Sequence, residues 1–117
     1  MRRTDVIAYC LTKPGSYLDN PWGEEDPVVK VGGKIFCFLG AHDGPAGLSV
    51  KNTRDGVAEW RSRYPAHISF APYLHKQLWS RVLIDTTGAP STDEVAELID
   101  DSYEIVVASL PKSRRPA

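Results

Sequence analysis

The sequence predicts an α+β fold of two layers, one antiparallel sheet with its helices on one face, in the order α-β-β-β-α-β-β-α. Three observations lead there. Short β-rich runs follow one another across glycine turns. A long apolar stripe at helical spacing closes the chain. Single helices interrupt runs of strands, whereas a doubly wound parallel sheet alternates helix and strand throughout. At 117 residues the chain has the length of one ordinary domain and buries enough surface to fold without a staple. It is read as a single domain over residues 1–117, with a frayed basic tail from about residue 113.

Val6, Ile7, Cys10 and Leu11 recur at helical spacing until Lys13, Pro14 and Gly15 stop the pattern, so residues 3–12 are expected to be a short amphipathic helix. Residues 15–27 carry turn clusters, including Asp19-Asn20-Pro21, and read as an ordered loop anchored by Tyr17, Leu18 and Trp22. Two β-rich runs, 28–31 and 34–39, then flank Gly32-Gly33. That is a hairpin signal, because two-residue hairpin turns need positive φ, which glycine adopts freely. Residues 40–47 are a second turn region and 48–52 a third strand.

Thr53 can cap the next helix, along which Val57, Trp60 and Tyr64 share one face before Pro65. Residues 67–70 alternate and read as a strand, 72–78 as irregular chain or a single helical turn, 79–85 as the fifth strand and 86–90 as a turn. Ser91 and Glu94 form a capping box for the last helix. Val95, Leu98, Ile99, Ser102, Val106 and Leu110 make its inner face, and Pro111 stops it.

A two-layer fold leaves one sheet face without helices, and strand alternation says what points there. Leu48, Val50, Ile68, Phe70, Val82 and Ile84 fit the core. The opposite parity carries Ser49, Lys51, His67, Ser69, Trp79, Arg81 and Asp85. A cation, an indole and hydrogen-bonding groups on one face suit stacking and anion contact; the plainer reading is a solvated face with Trp79 under a loop. The first hairpin does not choose a face, since Phe36 and Phe38 oppose Ile35, Cys37 and Leu39 and both sets are apolar.

Net charge is −1, which excludes a global field drawing the molecule to nucleic acid or membrane. Charge is nevertheless segregated. Residues 51–81 hold six basic side chains (Lys51, Arg54, Arg61, Arg63, Lys76, Arg81) against Asp55 and Glu59, while residues 91–104 hold six acidic and none basic. A basic middle suits phosphate contact; ordinary helix solvation accounts for much of it as well. Cys10 and Cys37 sit in apolar runs and read as buried small hydrophobes; the alternative is a structural disulfide, though nothing in the sequence points to an oxidising compartment. No signal peptide and no apolar run of membrane-spanning length is visible, so a cytoplasmic setting is expected.

No phosphate loop, dinucleotide fingerprint or zinc-ligand spacing occurs. His42, His67 and His75 lie far apart in sequence, with no cysteine beside any of them. The acidic cluster Asp93, Glu94, Glu97, Asp100 and Asp101 has the spacing of a solvated helix face. Neither an enzyme, nor a cofactor, nor a metal site is expected.

Several segments in their order carry a resemblance: Cys10-Leu11 with Pro14-Gly15, Pro21-Trp22-Gly23, residues 29–36 (VKVGGKIF), Ser49-Val50-Lys51, Tyr64-Pro65, Lys76 with Trp79, and residues 99–103 (IDDSY). Together they resemble the MmcQ/YjbR family of small bacterial proteins, over nearly the whole chain. The family's motif before the tryptophan reads His-Leu-Asn-Lys-x-His-Trp, against Tyr73-Leu74-His75-Lys76-Gln77-Leu78-Trp79 here. The resemblance implies the element order reached above, a fold like those of frataxin and secretion chaperones, and a DNA-binding label. The expectation is therefore a non-enzymatic binding domain for DNA or another nucleic acid. Lys51, Lys76, Trp79 and Arg81 form its contact surface, with Lys34 nearby. The alternatives are a protein adaptor using the open sheet face or the Trp22 loop, and a small-ligand or metal-binding domain.

Overall fold

Three α-helices and six strands make up the described residues, 1–40 and 46–116, of a computed structural model. In chain order they are α1 (Arg3–Cys10), β1 (Ser16–Asp19), β2 (Val28–Val31), β3 (Lys34–Phe38), β4 (Gly47–Lys51), α2 (Arg54–Arg63), β5 (Ile68–Phe70), β6 (Trp79–Leu83) and α3 (Thr92–Ala108). A 3-10 turn, Lys112–Arg114, follows. The strands form one antiparallel sheet in the order β1-β2-β3-β4-β6-β5. Residues 41–45, which include His42, lie outside the described residues.

The hairpin forms where Gly32-Gly33 places it, with φ of 58° and 86°, the values of a type I′ turn. Strand β1 is an addition to the sequence reading, which had a loop there. Its residues Tyr17 and Leu18 are both exposed and carry no alternation. Pairing to β2 (Ser16 with Val31, Asp19 with Val28) makes it a strand, and that pairing is tertiary information.

One irregularity decides which residues face which way. Val29 pairs with Cys37 and Lys30 with Ile35, so β3 holds one more residue than β2 between those pairs. This β-bulge breaks the period of two. Phe36 and Cys37 are both fully buried, whereas Phe38 pairs with Val28 and Ser49 on the other face. The side chain of Ser102, buried on α3, reaches the same place. Its hydroxyl donates to the Phe36 carbonyl at 2.6 Å and accepts from the Lys51 N–H at 2.9 Å, so buried backbone groups beside the bulge are satisfied from the helix layer.

The core lies between the sheet and α3, with Val29, Val31, Leu48, Val50 and Val82 facing Val95, Leu98, Ile99 and Val106. Thr53 caps α2 by accepting from the Gly56 N–H at 3.0 Å. Ser91 and Glu94 make their reciprocal box on α3. Helix α1 stops at Cys10, two residues early, and leaves Leu11 exposed as its cap. It is tied to α3 where the Tyr9 hydroxyl donates to Asp100 at 2.6 Å and Lys13 pairs with the same carboxylate. Cys10 and Cys37 are free thiols, both fully buried. The Cys10 thiol beside it, together with burial, pushes the Cys37 thiol's pKa well up.

One further expectation is corrected. Phe70 was assigned to the core and is 51% exposed. It pairs with Ser80 on the helix side, but it ends the edge strand, with sheet on one side of it only. In the basic tail, Arg115 makes side-chain contacts back to the end of the last helix. The Arg115 guanidinium donates to the carbonyls of Leu110 and Ala108, each at 3.0 Å, the second being one that the helix end leaves without a helical partner.

Candidate functional site

The register lines up one row of residues across all six strands: Asp19, Val28, Phe38, Ser49, Arg81 and Ser69. Side chains in such a row share a face, and this one is the face without helices. Lys51 pairs with Trp79 one step along the same face. Strand alternation foresaw Ser49, Lys51, Ser69, Trp79 and Arg81 there. The bulge adds Phe38, which alternation could not assign.

Above the middle of the row lies a groove of about 850 Å³. Val28, Phe38, Ser49 and Arg81 make its floor. The β1–β2 loop supplies Trp22 and Asp26 to one wall, and the β5–β6 loop supplies Pro72, Tyr73 and Leu74 to the other. That volume is within the range of ligand sites. The rings form a series. Trp22 stacks on Phe38 at 6.1 Å between centroids and 18° between planes. Trp79 meets Phe38 edge-on at 5.3 Å and 78°. Trp79 is therefore half-buried by an aromatic neighbour, and Trp22, 61% exposed, is the most open ring of these three.

Tyr73 is fully exposed on the rim, and its φ is 66°. A bulky residue in that region is strained, and such strain clusters at functional sites. Gly47 fits the groove for a different reason. A Cβ there would stand 2.9 Å from the Val82 carbonyl and 3.4 Å from the Arg81 guanidinium, so the glycine lets Arg81 lie across β4.

Charge is unevenly placed on the two faces of the sheet. On the open face Lys30 is paired with Asp19 at 2.7 Å, a contact that lowers the pKa of Asp19 and raises that of Lys30. Lys51 and Arg81 are the expected cations that share this face. The acidic residues of α3 belong to the other layer. There burial, then the neighbouring Glu97 and Glu104, raise the pKa of Asp101.

Two of the expected contact residues are elsewhere. The Lys34 ammonium donates to the Ser109 hydroxyl at 3.3 Å, at the end of α3, because Lys34 pairs with core-facing Val31. The Lys76 ammonium lies 5.2 Å from the ring centre of Phe70, on the side where Phe70 and Ser80 point. His67 precedes β5, with its Nε2 2.9 Å from the Thr87 carbonyl, and Asp85 follows β6 at a φ of 56°. Sequence reasoning offered the Trp22 loop only as an adaptor surface, and it missed Phe38, Tyr73 and Asp26 as parts of the groove. The signal it had was a pair of loop aromatics without helical or strand period.

No group of three or more potential metal ligands converges among the described residues, and among them no helix is long and apolar enough to cross a membrane. Comparison with known structures finds the same architecture. Protein DR2400 of Deinococcus radiodurans, described as carrying a DUF419 domain, superposes with a TM-score of 0.86 at 25% identity, over 97% of this chain and 84% of that one. A Pseudomonas syringae protein superposes with a TM-score of 0.72 at 20% identity, over 90% of this chain and 98% of its own. No curated protein matches the sequence. A family model described as YjbR matches residues 11–105, which span the sheet, the groove and most of α3, and the chain belongs to the YjbR family.

Proposed function

We propose that this chain is a non-enzymatic binding domain that takes unpaired nucleotides of single-stranded nucleic acid on the open sheet face. The observation that carries the reading is the aromatic series Trp22, Phe38 and Trp79 set beside Arg81 and Lys51 on one face. Bases stack on exposed rings at roughly 1–3 kcal/mol each, whatever their sequence. Duplex DNA presents no free base faces, and its tight binders neutralise many phosphates; this face offers two of the expected cations. The acidic helix stands in the layer behind the sheet, away from a strand bound in front.

Tryptophan fluorescence titration with a short oligothymidylate tests the reading. The affinity should fall with salt at a shallow slope, about 0.7 per phosphate contacted. Arg81→Ala and Lys51→Ala should each remove about one such contact from the slope. Trp22→Ala should weaken binding by roughly 1–3 kcal/mol and leave the slope alone. An absence of binding at low salt contradicts the proposal, as does a slope unchanged in the Lys51→Ala/Arg81→Ala double variant. A second reading has one observation in its favour: Val28, Pro72 and Leu74 also line the groove, which suits an apolar protein segment. Salt-independent capture of an apolar peptide, with no nucleic acid binding, is the result that selects it.

A further inference from the structure

The helix layer holds a second, smaller cleft of about 260 Å³. Arg54 and Arg61 bracket it, seven residues apart on α2 and so two turns along one side. Ala58 lies between them in the lining, with Val57 beside it. Gln77, from the loop before β6, forms the opposite wall.

The arginines are held entirely by neutral partners. Arg61 donates from Nη2 to the carbonyls of Lys76 at 2.6 Å and Trp79 at 2.9 Å, and from Nε to the Ser80 hydroxyl at 3.3 Å. Arg54 donates to the Gln77 side-chain carbonyl. No carboxylate pairs with either guanidinium among the described residues. Arg63, on another side of the same helix, has both Glu59 and Glu94. Arg61 is half-buried, and burial lowers its pKa with no opposing charge beside it. A desolvated cation without a counter-charge is a cost to the fold. An anion entering the cleft offsets that cost, and the planar guanidinium fork matches the oxygens of a phosphate group.

We propose that the Arg54–Ala58–Arg61 cleft is a binding site for a phosphate group, carried either as the free ion or as the head of a small monoester. The site lies on the helix layer and uses none of the groove residues, so it stands or falls independently of the nucleic-acid reading.

The test measures the thermal midpoint of the full chain against inorganic phosphate and, separately, glycerol phosphate, with sodium chloride matched for ionic strength. A saturable rise with either phosphate above the chloride control is expected, and the stronger of the two names the source. Arg54→Gln removes one guanidinium from an exposed position. Ala58→Leu fills the cleft while leaving both arginines. Each should weaken phosphate affinity roughly tenfold or more, the first through the loss of one charge-assisted contact and the second by excluding the ion from the space it would occupy. An equal rise with chloride, or phosphate binding that survives both variants unchanged, overturns the proposal.

Discussion

Tyr73 holds a backbone conformation that glycine would hold without strain. Its side chain is fully exposed, so no buried contact in the chain compensates it. Tyr73→Gly should therefore leave the urea midpoint unchanged or raise it, while weakening oligonucleotide binding. A loss of stability with unchanged binding would remove Tyr73 from the site. The hairpin glycines make the complementary case. A Cβ on Gly33 meets nothing within 4 Å, so Gly33→Ala should cost only the positive-φ penalty, about 1–2 kcal/mol. A Cβ on Gly32 would stand 2.6 Å from Leu110 Cδ1 and 2.9 Å from the Arg114 carbonyl. Gly32→Ala should cost distinctly more than Gly33→Ala in the same urea titration, because the tail has to move.

Among the elements, α3 carries most of the fold's specification. Its box, its period and its inner face were all legible in sequence, because a cap and a 3.6-residue stripe are local signals. Leu98, 2% exposed, should cost roughly 2–5 kcal/mol as Leu98→Ala. Ser102 was legible as an inner residue, but its role was not, since that depends on a bulge in a distant strand. Ser102→Ala strands the Phe36 carbonyl and the Lys51 N–H and should cost about 1–3 kcal/mol in chemical denaturation. A neutral result would show those groups finding other partners. Phe36 and Phe38 stayed unassigned in sequence because both parities of the hairpin are apolar, and the bulge then sends the two rings to opposite faces; β1 was invisible because an exposed four-residue edge strand has no hydrophobic alternation.

The start of α3 also carries a pH dependence. The Tyr64 hydroxyl, then the Ser91 N–H, hold the Glu94 carboxyl below its ordinary pKa. A depressed folded pKa contributes stability that is present above the unfolded value, near 4.3, and is lost as pH falls through the folded one. Glu94→Gln should therefore flatten the acid limb of a stability profile below about pH 4.5. An acid limb unchanged by the substitution would mean that Glu94 is not held in the ionised form.

For the molecule as a whole, a net charge of −1 conceals a local segregation, with acidic residues gathered on α3 and Lys51 and Arg81 on the open face. Parity in β4 and β6 was enough to place Lys51, Trp79 and Arg81 on one face, since both strands run without interruption. It could not place Lys34 or Lys76. One sits at a hairpin end whose facing the core decides, and the other sits in a loop with no period to read. The groove itself was beyond sequence, because its walls come from loops fifty residues apart. Its claim to bind single strands is tested most directly by amide chemical-shift mapping during titration with oligothymidylate. The account predicts perturbations concentrated at Trp22, Phe38, Ser49, Tyr73, Trp79 and Arg81, with Glu97, Asp101 and Glu104 on α3 unmoved. Shifts confined to α2 or α3, or none at low salt, would contradict it.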